Sequence, residues 1–504
     1  MRKGLFFWSA FGLCFAIIAL VIFLVGKEPE QRSITESIPV PEASSPYVYL
    51  EGDGASFKFD FPEELLEESG QARPFLLAVQ GVSPILSFSK DSACLVAWDK
   101  NEPHLYASAL FSVSVTENLK KAELPAEWKN LEERLTLSKD ENNITLLTWK
   151  NGIPSLYMDV DGGLSLLSTS KEGLQLMKDV LHKTKENLDM EWKVSSDWKN
   201  HFRFYDGGLL SQLLSLDGVK VSLVPFIFNA SWYKNDEKGE LSWKTSGIDG
   251  VIPATLYEKL MPIQWNQRII APEPLLLAAG INIPDIRETE MASELVKEMP
   301  EEFPFSAEEL LTLLHGPVCL TVAGNSKVIF FSLPGFVLQL PDRGTAGVKL
   351  VNEFWSQEWR MLVPSIESLE GFHTGGTASV PFTILGAARD DLAVLGIIQK
   401  SDIKVEKKIN NAIPSLKNSG GAFAWGYAHG ERLADALDVV ARASAMADKL
   451  GSDVGINADE LTKAAEELRQ VGEISLVMPT IDEGSLKWTI PQDTDEESEE
   501  KTEM

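Results

Sequence analysis

Residues 94–118 read CLVAWDKNEPHLYASALFSVSVTEN, and residues 319–343 read CLTVAGNSKVIFFSLPGFVLQLPDR. Cys94-Leu95-Val96-Ala97 falls on Cys319-Leu320-Thr321-Val322 at an offset of 225 residues, and the same offset carries Leu105-Tyr106 onto Phe330-Phe331. It also sets Phe111, Val113 and Val115 on Phe336, Leu338 and Leu340, so 25 residues align without a gap. Apolar residues at every second position predict strands in both copies. A one-residue slip would turn every strand over, so a kept register predicts that Cys94 superposes on Cys319 and Phe111 on Phe336.

Working outward, the match continues in order. Gly163-Leu164-Ser165-Leu166-Leu167 returns as Asp391-Leu392-Ala393-Val394-Leu395, and Phe202-Arg203-Phe204 as Phe423-Ala424-Trp425. Val221-Ser222-Leu223-Val224 returns as Ile474-Ser475-Leu476-Val477, and Leu241-Ser242-Trp243-Lys244-Thr245 as Leu486-Lys487-Trp488-Thr489. Blocks recurring in one order are the mark of an internal repeat. The expected fold is α+β: two similar halves, each an antiparallel sheet with helices, behind one N-terminal transmembrane helix.

Helix starts come from capping chemistry. Thr169-x-x-Glu172 precedes Leu174, Met177 and Leu181, and Asn457-x-x-Glu460 precedes Leu461. The Ala-rich run Leu433 to Leu450 predicts a helix that the first half lacks.

At the N-terminus, Arg2 and Lys3 precede an uncharged run from Gly4 to Gly26, long enough as a helix to cross a hydrocarbon core of roughly 30 Å. Val25-Gly26-Lys27-Glu28-Pro29 offers no small-residue cleavage pattern, so the run reads as an uncleaved signal anchor with a membrane-buried Cys14. The basic flank keeps the N-terminus cytoplasmic and sends the bulk of the chain across the membrane. Residues 27–56, rich in Pro, Ser and Glu, read as an extended stalk. The remaining boundaries are residues 57–249 for the first repeat, 250–305 for a bridging segment, 306–490 for the second repeat and 491–504 for an acidic disordered tail.

The 504 residues carry 46 Lys+Arg against 74 Asp+Glu, a formal charge of −28. That sign repels phosphate backbones, so nucleic acid is not an expected partner. The six His are scattered, and neither HExxH nor CxxC occurs, so no metal and no cofactor is expected. Asp159-Val160-Asp161-Gly162 reads as a tight turn rather than a calcium loop.

For nucleophilic catalysis, Ser-x-x-Lys occurs as Ser87-x-x-Lys90 and Ser168-x-x-Lys171, where an amine could activate a hydroxyl. No Gly-x-Ser-x-Gly, GxGxxG or P-loop accompanies them. Among thirteen Trp, the rings of Trp232, Trp355, Trp359 and Trp425 are candidates for ligand contact, with core packing the simpler reading. Cys94 and Cys319 read as buried small residues, a disulfide between them being the alternative.

Together these features predict a membrane-anchored, non-catalytic envelope protein that binds an unidentified partner or ligand. The alternatives are a Ser-x-x-Lys hydrolase and a carrier of lipid or another apolar molecule.

Overall fold

The computed structural model describes residues 34–42, 45–57, 73–99, 102–150, 153–161, 163–195, 197–208, 224–248, 252, 254–300, 303–328, 331–356, 365–379, 383–399, 401–404, 406–418, 421–449 and 457–491. The expected anchor, Trp359 and residues 492–504 lie outside them. Among the described residues no helix is long and apolar enough to cross a membrane. The fold is mixed α+β with antiparallel sheet, as expected, and the chain divides into two units: Met1–Asn235 with Leu241–Val251, and Asp236–Glu240 with Ile252–Met504.

The first unit contains β1 (Tyr47–Gly52), β2 (Asp91–Asp99), β3 (Glu102–Leu110), β4 (Leu135–Lys139), β5 (Thr145–Trp149), β6 (Leu156–Asp161), β7 (Leu164–Ser168), β8 (Asn200–Tyr205), β9 (Ile227–Lys234) and, from Leu241 on, β10 (Lys238–Ser246). Its strands pair in the order β9-β8-β1-β2-β3-β7-β6-β5-β4, each pair antiparallel. On one face Tyr47, Tyr49, Ala93, Leu95, Leu164 and Leu166 pack against Ile34, Ile38 and the helix α3 (Lys171–Leu181), and α1 (Arg73–Leu86) packs on β2 and β3. A further helix, α2 (Val113–Lys120), follows β3.

The second unit contains β11 (Arg268–Ile270), β12 (Leu275–Ile283), β13 (Gly316–Val328), β14 (Phe331–Pro341), β15 (Thr374–Ser379), β16 (Thr383–Arg389), β17 (Leu392–Ile397), β18 (Glu406–Lys408), β19 (Ala424–His429), β20 (Glu473–Met478) and β21 (Glu483–Thr489). Here the order is β21-β20-β19-β12-β13-β14-β17-β16-β15, again antiparallel, with β11 and β18 as a separate ladder. Its longer helices among the described residues are α4 (Glu290–Lys297), α5 (Ala307–Leu314), α6 (Gly344–Ser356), α7 (Gly430–Lys449) and α8 (Ala458–Arg469).

One face of this sheet sets Ala278, Cys319, Ala323, Trp425 and Val477 against Trp265, Ile269, Ile409, Ile413 and Leu416. Gly280 makes room for the Trp425 ring, since a Cβ there would stand 2.5 Å from it. The backbone of Ile270, crossing the same face, is held by a buried amide: its N–H donates to Gln339 Oε1 at 2.7 Å, and its carbonyl accepts from Gln339 Nε2 at 2.9 Å.

Several expectations are met. A helix covers 430–449, the side chain of Asn457 accepts from Asp459 N and Glu460 N to start α8, and strands cover 474–477, 241–245 and 486–489. The cap of α3 is Ser170, one residue after the expected Thr169.

Other expectations are corrected. The gapless alignment of 94–118 with 319–343 fails after the first strand. β3 ends at Leu110, and Ser112 accepts from Val115 N at 3.3 Å to cap α2, so Val113 and Val115 are helical while Leu338 and Leu340 lie in β14. A side-chain cap offers the backbone a local alternative to the ladder, and here it overrides the alternating pattern.

Cys319 belongs to the core cluster around Trp265, whereas in β2 it is Ala93 and Leu95 that belong to the cluster around Tyr49, and Cys94 between them alternates to the other face. Both thiols are free and buried, and burial pushes each up to about 12.

The stalk is also shorter than expected. Ile34, Ile38, Tyr47 and Tyr49 are buried, and Ser108 Oγ donates to Ile34 O, so 34–52 belong to the folded unit. The 250–305 segment is not a bridge either, since β12, within it, is a central strand of the second sheet.

Candidate functional site

The registers of the second sheet define its other face row by row. One row is Trp488, Ile474, Ala428, Leu277, Val322, Phe336, Ile397 and Ile384. The next is Leu486, Leu476, Gly426, Ala279, Leu320, Leu338, Leu395 and Gly386, and a third runs through Met478, Ala424, Ile281 and Val318. None of these positions carries a charge, a hydroxyl or an amide.

A face of this composition belongs under a helix layer, because leaving it wet forgoes roughly 25 cal/mol for every Å² of apolar surface. The α6 helix covers one end: Val351 and Trp355 pack on Ile384, Ala388 and Ala393, and Trp355 Nε1 donates to Gly386 O at 2.6 Å. The middle is open. Ile281, Leu320 and Phe336 are 41%, 37% and 47% exposed and stand on a diagonal across three adjacent central strands.

The opening has a local cause. In the first unit α1, which lies between β1 and β2 in the chain, packs on β2 and β3, where Val96, Leu105 and Ala107 are buried. In the second unit the helix before β13 is α5, and it packs on α6 instead, through Phe305, Leu310, Leu313, Ala346 and Leu350, with Glu309 paired to Lys349 at 2.7 Å. A Ser306–Glu309 capping box fixes where α5 begins. The buried Arg343 fixes its end by donating from Nε to Leu313 O at 2.9 Å.

The catalytic candidates are placed elsewhere and are not assembled. Ser168 is sealed, at 1% exposure. Lys171 pairs with Asp140 at 2.7 Å, and that hydrogen bond raises the amine's pKa, so it stays an ammonium and cannot serve as a base. Ser87 Oγ donates to Pro84 O at 2.8 Å, and Lys90 is exposed. Trp232, Trp355 and Trp425 are buried, as core residues. Among the described residues no group of three or more His, Cys, Asp or Glu could hold a metal.

A Ser–His pair absent from the sequence reading occurs across β8 and β9, where His201 Nδ1 lies 2.8 Å from Ser231 Oγ. At 2% and 0% exposure neither reaches substrate, and burial pushes His201 down to about 3, which keeps it neutral. The pair is a satisfied core contact.

Nearby, burial pushes the Asp91 carboxyl up to about 6, with Asp53 and Glu51 adding to the rise and Lys199 opposing it. A carboxyl raised on folding contributes stability that is present below its unfolded pKa of about 4 and lost as pH climbs through 6. Asp91→Asn is therefore expected to raise the melting temperature at pH 8 and leave it unchanged at pH 4. An equal effect at both pH values would remove the charge as the cause.

The open face escaped the sequence reading, although a signal for it exists. β12 (LLLAAGINI) and β17 (LAVLGI) are apolar at both parities, which marks strands covered on two sides.

No protein family and no curated protein matches the chain. Among solved structures, crystal form IV of TP0453 is similar at 11% identity and a TM-score of 0.23, covering 42% of this chain and 81% of that one. Crystal form I of TP0453 gives 9% identity, a TM-score of 0.23, and coverage of 43% and 80%.

Proposed function

We propose that the chain is a membrane-anchored, non-catalytic binding protein of the extracytoplasmic space, and that it binds an apolar molecule on the open sheet face of the second unit. The observation that carries this is the exposed diagonal Ile281, Leu320 and Phe336 within rows that hold no polar side chain. Such a surface offers nothing to orient a sugar, a nucleotide or a charged peptide, and it rewards contact with hydrocarbon. The sealed Ser168 and the protonated Lys171 weigh against the hydrolase alternative.

Titration with the neutral dye Nile red tests the reading. Leu320→Thr with Phe336→Thr keeps β-forming residues at both positions and removes apolar contact, so the dye should bind about tenfold or more weakly. Equal affinity in the two proteins would place the dye elsewhere and sink the proposal. The topology is tested by protease added outside intact cells, or outside spheroplasts where an outer membrane is present. Digestion of the body is expected, and protection would reverse the orientation inferred from Arg2 and Lys3.

The two units also read as copies of one ancestral domain. In support, β9-β8-β1-β2-β3-β7-β6-β5 and β20-β19-β12-β13-β14-β17-β16-β15 follow one plan. The segment ahead of the first central strand is pinned alike in each, by Ser108 on Ile34 O and by Gln339 on Ile270 O. On this reading Ala93, rather than Cys94, corresponds to Cys319. The copies then differ in the helices on their sheets, α1 against β2 and β3 in the first, and α6 against β16 and β17 with α7 against β12, β14 and β19 in the second.

A further inference from the structure

We propose that Arg203, in the first unit, forms a binding site for a small aromatic carboxylate, with Trp192 as the ring that admits it. The site is independent of the open face in the second unit.

The register of the first sheet assembles it. Arg203 on β8 stands opposite Tyr49 on β1 and Asn229 on β9, and two residues along the same face Tyr205 stands opposite Tyr47. The guanidinium carbon lies 5.3 Å from the centre of the Trp192 ring and 5.9 Å from that of Tyr47. Ring faces stabilise a cation, but they take none of the hydrogen bonds that a guanidinium offers in its own plane.

The protein itself does not supply the acceptor. Glu51, on the same face of β1, is engaged elsewhere: it pairs with Lys193 at 2.7 Å and accepts from Tyr49 Oη at 2.8 Å. Among the described residues no carboxylate pairs with Arg203. Burial raises the pKa of the Tyr47 hydroxyl, and the guanidinium beside it opposes the rise. Arg203 Nε, Trp192 Nε1 and Asn229 Oδ1 are all buried without a hydrogen-bond partner. Such atoms are costly, and a ligand that satisfies them offsets that cost.

The donor set selects the ligand. A carboxylate accepts from both N–H groups and neutralises the charge, a hydroxyl beside it donates to Asn229, and an aromatic body meets Tyr47 and Tyr205. One guanidinium matches a monoanion, whereas a phosphate dianion would carry twice the charge into a protein of formal charge −28.

Access has a basis as well. Arg203, Trp192, Asn229 and Tyr205 are half-buried, and Trp192 stands in the turn at residues 190–193, outside any helix or strand. Its ring can swing aside without breaking a ladder.

The test uses the full chain labelled with 5-fluorotryptophan and the probe 3-phenyllactate, the Trp192 fluorine resonance being identified by its loss in Trp192→Phe. Phenyllactate is expected to shift that resonance saturably. The neutral analogue 3-phenylpropane-1,2-diol, which keeps the ring and the hydroxyl, is expected to leave it in place. Arg203→Gln should weaken binding of the acid about tenfold or more, as charge-assisted hydrogen bonds are lost. An equal shift from the diol would overturn the proposal, because the rings alone would then bind, and that comparison needs no variant. No shift with acid up to about 50 mM would remove the site. Inorganic phosphate matching phenyllactate would remove its preference for a carboxylate and overturn the assignment.

Discussion

Arg343→Met is expected to destabilise the second unit by about 3–5 kcal/mol, the cost of breaking a buried charged network. The guanidinium is 3% exposed and is satisfied by carbonyls alone: Nε to Leu313 O at 2.9 Å, Nη1 to Pro341 O at 2.6 Å and Nη2 to Pro317 O at 3.0 Å. It ties the end of α5, the start of β13 and the end of β14 to one group. Burial pushes it down to about 10, still well above neutrality, so the charge is kept and helps offset the carbonyl end of α5. Methionine fills much of the stem volume and leaves all three carbonyls without this donor. Urea unfolding followed by the fluorescence of Trp265 and Trp425 would register the change as a lower midpoint. An unchanged midpoint would mean that water replaces the guanidinium at little cost, and the clamp would have to be abandoned as the reason α5 stays beside α6.

Gln339→Leu should cost about 3 kcal/mol in the same unit. The amide is fully buried and spends both ends on one residue, accepting from Ile270 N at 2.7 Å and donating to Ile270 O at 2.9 Å, with a further contact to Thr321 Oγ1 at 3.0 Å. Leucine matches the size and the apolar surroundings of Val337 and Val394, so packing alone would favour it. The loss comes from Ile270 N–H, which would be left in the core without this acceptor. Its carbonyl keeps Thr321 Oγ1 at 3.1 Å. Hydrogen exchange offers a residue-level check, since the amide of Ile270 should lose protection far more than that of Val322. Equal loss at both would show general loosening instead of a broken peg.

These two residues also show why sequence reading stopped where it did. Gln339 sits in an alternating strand pattern with nothing to distinguish it from a solvent-facing polar residue, because its partner lies 69 positions away. Arg343 reads as a surface charge after a turn, and only the convergence of three chain segments makes it a core residue. Ser112 carried a legible signal in the other direction: a Ser ahead of a short polar run can cap a helix, and giving the alternation of Phe111, Val113 and Val115 precedence hid it. A pattern of period two over five residues is too short to outweigh a satisfied cap.

By itself the sequence determined the features that local chemistry sets: strands where apolar residues run or alternate, helices where Asn457 and the Ala-rich 430–449 supply a cap or propensity, and the order in which the blocks return. Free, buried thiols also came from composition. Tertiary structure alone decided that Ile34, Ile38, Tyr47 and Tyr49 are core instead of stalk, that Cys319 joins the cluster around Trp265 while Ala93 and Leu95, not Cys94, join the cluster around Tyr49, and that α5 packs on α6. The division has a physical cause. Period and capping energies act within a few residues, so the chain states them locally, whereas burial is a property of whichever surface arrives from elsewhere, and an apolar strand is written the same way whether its cover comes or not.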